Sequence, residues 1–146
     1  MRQLFFALQF RGNASALASG NLQARTTARG QVLRAALEAG GIASSVEELG
    51  GPTATFESEV QVTGEGTFKE WGTIAYGNAG HVRFTTVGQG LLGPSGIEGL
   101  QRGAVIWEVT GGDGAFAGSR GLITSNFSLD GAGAVVDNHV AQFFLP

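Results

Sequence analysis

The chain has 146 residues, 42% of them hydrophobic, which suits a single folded domain over residues 1–146. A formal charge of −3, with the nine lysines and arginines scattered, leaves no concentrated positive field and argues against a nucleic-acid partner. The absence of cysteine excludes disulfides, thiolate nucleophiles and Cys-ligated zinc, and is compatible with a cytoplasmic location.

The opening stretch "MRQLFFALQF" places Leu4, Phe6, Leu8 and Phe10 on one side of a period-2 pattern and predicts a first strand. It also mimics a secretory signal, but the uninterrupted apolar run, Leu4 to Leu8, is shorter than the ~7–15 residues such a segment needs. No stretch reaches the ~20 apolar residues of a membrane span.

Residues 20–38 supply one or two further strands. "RGQVLRAALEAGG" is rich in Ala, Leu, Arg and Glu, which favours helix. Yet Leu33, Ala35 and Leu37 alternate with Arg34, Ala36 and Glu38, as in a strand. Both readings stand, so a short helix between residues 30 and 50 is one expectation.

From residue 51 onward, strand follows strand with glycine punctuation. "TATFESEVQVT" alternates Phe56, Ser58, Val60 and Val62 against Glu57, Glu59 and Gln61. "GEG" turns it into "TFKEWGTIAY", and "GNAG" turns that into "HVRFTTVGQG". After a looser loop come "AVIWEVT", "AFAGSRGLITSNFSL" and "AVVDNHVAQFFL". The pattern is an antiparallel meander with no helical crossovers. The fold class is therefore all-β, an antiparallel closed barrel of about eight strands, since closure removes the exposed edges.

The segment "GGDGAFAGSRG" (Gly111–Gly121) invites comparison with phosphate-cradling loops. A dinucleotide fingerprint needs G-x-G-x-x-G between strand and helix; here the spacing differs and a strand composition, "GLITSNF", follows. No Gly-Lys-Ser/Thr is present. The turn reading is preferred, with Gly111, Gly112 and Gly114 supplying positive φ and Gly118 and Gly121 a bend or close contact.

"GGDGAFAGSRG", "YGNAGH" and the closing "VAQFFLP" resemble allene oxide cyclases and the related dirigent proteins, over roughly residues 67–145. The resemblance implies an eight-stranded barrel with a lipophilic interior, assembled as a homo-oligomer (dimer or trimer), and includes bacterial natural-product cyclases. It fails at the chemistry. The family's first-strand glutamate has no counterpart in "RQLFFALQF", nor does its tyrosine in "HVRFTTVGQG". Fold can be shared where function is not.

Turn lengths suggest which side chains face inward. A three-residue "GEG" loop sets Val62 opposite Phe68, Val60 opposite Glu70 and Phe56 opposite Ile74; a two-residue loop would oppose Glu59 to Glu70. With Asn78 and Ala79 at the tip of the next hairpin, Tyr76 lies opposite His81, Ile74 opposite Arg83 and Glu70 opposite Val87. One face then gathers Phe56, Val60, Phe68, Ile74 and Val87 as substrate-binding wall, with Glu70, Tyr76, His81 and Arg83 as candidate catalytic residues. Buried Glu70 is a candidate general acid or base, and Arg83 could hold a carboxylate or enolate. The plainer reading puts His81 and Arg83 at a solvated rim and Glu70 in a strand pair.

No metal or cofactor is implied: two histidines make a poor zinc site, and Ser125, Asp137 and His139 lack a nucleophile elbow. Trp71 and Trp107 read as core or interface residues. Two functions follow: an isomerase or cyclase shaping a lipophilic small molecule, or a non-catalytic lipophile-binding or structural barrel. A continuous cavity of ~300 Å³ or more that opens at one mouth and touches Glu70 or Arg83 suits the first. A barrel plugged by side chains suits the second.

Overall fold

A computed structural model describes residues 1–146. Nine strands form one antiparallel sheet: β1 (Arg2–Ala16), β2 (Leu22–Glu38), β3 (Gly41–Gly64), β4 (Thr67–Tyr76), β5 (His81–Thr86), β6 (Gly90–Pro94), β7 (Leu100–Gly112), β8 (Arg120–Asp130) and β9 (Ala134–Leu145). The order β3-β2-β1-β9-β8-β7-β5-β4, with β3 paired to β4, closes the sheet in a barrel-like ring. β5 and β6 share one place in the wall. β5 pairs with one half of β4 and β7, and β6 with the other. The wall is thus eight strand positions round, as the meander pattern leads one to expect.

Alternation decides which side chains fill the ring. Phe10, Phe56, Ile74, Val82, Trp107, Ile123 and Phe143 are all fully or almost fully buried, each at an alternate position of its strand. Close approach of strands is made possible by inward glycines. A Cβ on Gly12, Gly72 or Gly121 would overlap the carbonyl oxygen of Arg25, Glu57 or Gln142 on the adjacent strand.

The interior has two unlike halves. One end is packed with rings: Tyr76 lies 5.3 Å from Phe6 and 5.2 Å from Phe116, and Phe6 lies 5.5 Å from Phe143. The middle is filled by Phe84 on Trp107 at 4.7 Å and Phe10 on His139 at 4.3 Å. Toward the other end the inward positions of β1 and β2 are Ala14, Ala24 and Thr26, too small to meet across the ring.

Three expectations need correction. The helix between residues 30 and 50 does not form: β2 and β3 run on past the ring as a two-stranded arm, pairing Gln31–Glu38 with Gly41–Glu48. Strand partners present along the whole segment outweigh its helical composition. A bulge at Ala28–Gln31 marks where the arm leaves the wall, and Gly50 and Gly51 take φ of 77° and 92° on the return.

The "GNAG" hairpin is one residue longer than expected. Tyr76 N–H donates to Gly80 O, and the pairs are Ala75–His81, Ile74–Val82 and Thr73–Arg83. Gly77 and Gly80, at φ 58° and 138°, make the wider loop possible. A one-residue slip reverses every side chain. Val82 and Phe84 therefore face inward, while His81 and Arg83 face out. The "GEG" hairpin, by contrast, has the expected pairs Val62–Phe68, Val60–Glu70 and Phe56–Ile74.

In the segment Gly111–Gly121, positive φ falls on Gly114 and Gly118 rather than on Gly111 and Gly112, which belong to β7. One 3₁₀ turn at Gly114–Phe116 buries Phe116, and strand resumes at Arg120. The helix N-terminus that a phosphate loop requires is not formed.

Candidate functional site

The small side chains at one end of the ring leave a cup of about 120 Å³. Its floor is Phe56, Thr26, Glu70 and Asp137, all buried; its sides are Ala24, Val60, Phe68, Phe127 and Val135. Val62, Leu92 and Leu129 stand toward the mouth. The cup touches Glu70 but falls below the ~300 Å³ of a pocket enclosing a whole drug-sized ligand. The barrel is plugged at one end and hollow at the other.

Glu70 reaches this floor because it alternates with Phe68 and Gly72 along β4. It is 6% exposed. The Ser58 hydroxyl donates to its Oε1 at 2.5 Å, from the neighbouring strand. Its backbone is clasped by Thr86, whose Oγ1 accepts from Glu70 N at 2.7 Å and donates to Glu70 O at 2.8 Å. Burial pushes the Glu70 carboxyl up to about 8, against the Ser58 hydrogen bond. The negative charge of Asp137 raises it further, and the Trp107 side chain opposes the rise, although its Nε1 makes no hydrogen bond of ordinary geometry. Glu70 therefore carries its proton at neutral pH.

Asp137 is the second carboxyl of the cup. Ser125 Oγ donates to its Oδ1 at 2.6 Å, and His139 Nε2 lies 2.8 Å from its Oδ2. The carboxyl stands between the serine and the histidine, so the three do not form a hydrolytic triad, in which the histidine is central. His139 Nδ1 and Thr26 Oγ1 are buried without partners. Thr26 lines the cup, with its hydroxyl oxygen buried in the wall rather than open to the cavity.

Of the residues expected at a site, Phe56, Val60, Phe68 and Glu70 come together in the cup. Ile74 and Tyr76 lie in the ring-packed end, where burial raises the Tyr76 hydroxyl well above the usual range. His81 is on the outside, its Nδ1 3.1 Å from Asp113 Oδ1. The hydrogen bond from the His81 backbone N–H, joined by its ring, holds the Asp113 carboxyl below its ordinary value. Arg83 is exposed on the same outer face, so it does not reach a ligand in the cup. Val87 lies beyond β5 and is 47% exposed; Thr86 takes the place beside Glu70.

Asp137 and Thr26 join the cup without being among the residues expected there, although their strands signal them. Asp137 alternates with Val135, His139, Ala141 and Phe143, and Thr26 with Ala24 and Ala28. A polar residue in an otherwise inward-facing register is the mark of a lined cavity.

The cup thus offers two carboxyl groups between aromatic and aliphatic walls, with no lysine or arginine. No cation in this lining would pair with an anionic group. No family model, curated protein or solved structure matches this chain. No helix is long and apolar enough to cross a membrane.

Proposed function

We propose that the protein binds an uncharged lipophilic small molecule by its reactive end and isomerises or cyclises it by acid–base chemistry in the cup. One observation carries this: the Glu70 carboxyl, protonated at neutral pH, sits on the floor of an apolar cavity. A neutral carboxylic acid in an apolar site donates a strong hydrogen bond to a carbonyl oxygen. For a carbonyl substrate, Glu70 holds that oxygen as negative charge develops on it. Asp137 takes a proton from the adjacent carbon and returns it at a second carbon, so the product has the composition of the substrate. No cofactor enters this balance.

A volume of about 120 Å³ is close to that of a cavity holding one small ring, so the rest of the substrate extends past Val62, Leu92 and Leu129. Fixing a flexible chain in this way supplies part of a cyclisation barrier through proximity alone. The likeness of "GGDGAFAGSRG" to allene oxide cyclase-like barrels supports the lipophilic interior, but not that family's own reaction. A cytoplasmic, homo-oligomeric protein fits this reading.

A second reading has its own support. The cup, at about 120 Å³, is smaller than the ~300 Å³ that suits the catalytic reading, and both Asp137 oxygens are already engaged, by Ser125 and His139, as in a structural network. On this reading the barrel carries a lipophile without altering it.

Native mass spectrometry and thermal-shift screening against neutral ketones, epoxides and polyketide-like compounds, with matching carboxylic acids, tests the proposal. Neutral compounds should bind and acids should not, and Glu70→Gln should abolish turnover of any compound converted. Equal binding of acids contradicts the assignment of the cup. Turnover unaffected by Glu70→Gln contradicts the chemistry.

A further inference from the structure

The inner wall of the ring continues past the cup. One rung across the sheet joins Leu92, Gly103, Phe127 and Asp137, and all but the glycine line the cup. The next inward rung toward the mouth, ~7 Å farther along the strands, joins Pro94, Gln101, Leu129 and Val135. Residues two apart on a strand share a face, so the second rung extends the surface of the first. Leu129 lines the cup and also an open groove of about 640 Å³, which Pro94, Ile97 and Gln101 line with it.

The sides of this groove are two turns that satisfy their own backbone. In the first, Ser95 N–H donates to Leu100 O at 3.2 Å, Leu100 N–H to Ile97 O at 3.1 Å, and Ile97 N–H to Ser95 Oγ at 3.1 Å. In the second, Asp130 Oδ1 accepts from Ala132 N–H at 2.8 Å and from Ala134 N–H at 2.9 Å. With these groups paired, the groove offers a ligand the apolar surfaces of Pro94, Ile97 and Leu129, and Ile97 is 60% exposed. The charged side chains along it are Glu98 and Asp130, with no lysine or arginine.

We infer that the groove is a second subsite, taking the apolar tail of the ligand whose carbonyl end lies in the cup. The inference rests on the cup's holding that reactive end. A cavity of about 120 Å³ has room for one small ring, and the shared Leu129 gives the remainder a continuous apolar path outward. A tail in the groove withdraws both itself and Ile97 from water. A carboxylate at its far end would face Glu98 and Asp130, which are like charges.

A methyl-detected NMR titration of the full chain with cyclopentanone and its 2-alkyl derivatives of increasing tail length tests this. Cyclopentanone should bind weakly and move the Ala24 methyl signal, since Ala24 lines the cup alone. Longer tails should also move the Ile97 methyls, and each methylene buried in the groove should tighten binding ~3–4-fold. Ile97→Asp, outside the cup, should remove most of that gain and leave the affinity for cyclopentanone unchanged. A carboxylate at the end of the tail should cancel the gain too. If cyclopentanone binds in the cup but tails add nothing, or their gain survives Ile97→Asp or a terminal carboxylate, the subsite is overturned and the cup stands. If none of these ketones moves the Ala24 signal, the reading of the cup falls and the subsite with it.

Discussion

Ser58 and Glu70, diagonal neighbours on β3 and β4, are joined by a buried 2.5 Å hydrogen bond that fails to keep the carboxyl ionised. Desolvation outweighs it, and this has a consequence for stability. Between its ordinary value of 4.5 and about 8, Glu70 is protonated in the folded chain and ionised in the unfolded one. The folded state binds the extra proton, so stability falls as pH rises through that window and levels off above it. Urea unfolding across this pH range should show the decline in the wild type, and Glu70→Gln should flatten it.

Filling the cup should block ligands without unfolding the barrel. Ala24 is buried on its wall, and Ala24→Leu adds side-chain volume into open space. Any ligand found for the wild type should lose at least tenfold in affinity by titration calorimetry, with the unfolding midpoint little changed.

The Ser125–Asp137–His139 chain should be costly to break. Asp137→Ala leaves a buried hydroxyl and a buried imidazole without their partner. Denaturant unfolding should show a loss of roughly 3–5 kcal/mol. Asp137→Asn keeps an acceptor for one of them and should lose less.

Gly72 tests how closely the strands approach. A Cβ there would overlap the Glu57 carbonyl and lie 2.8 Å from Ser58 Cα. Gly72→Ala should cost about 1–3 kcal/mol, read from urea midpoints, although glycine-to-alanine normally favours a strand.

How far sequence reasoning reaches depends on what sets each register. The β3–β4 pairing was legible because a shorter turn would have opposed Glu59 to Glu70. The β4–β5 pairing was not, because nothing in "GNAG" says that Gly77 and Gly80 both adopt positive φ and add a residue to the loop. That single residue carried His81 and Arg83 from the expected cavity to the outer surface. The arm was ambiguous for another reason: Leu33, Ala35 and Leu37 fit either period, and only the distant partner Gly41–Glu48 decides it. Asp137 and Thr26 are readable as inward from alternation, but which inward residues meet in the cup depends on the ring closure that brings β2, β3, β4 and β9 together.

A carbon-13 titration of the Glu70 side-chain carboxyl by NMR tests the central claim most directly. The account predicts a midpoint near 8, moving on addition of a neutral ketone that enters the cup. A midpoint in the ordinary carboxylate range, near ~4, would mean that the carboxyl is solvated and ionised, and would contradict the proposed proton-donating site.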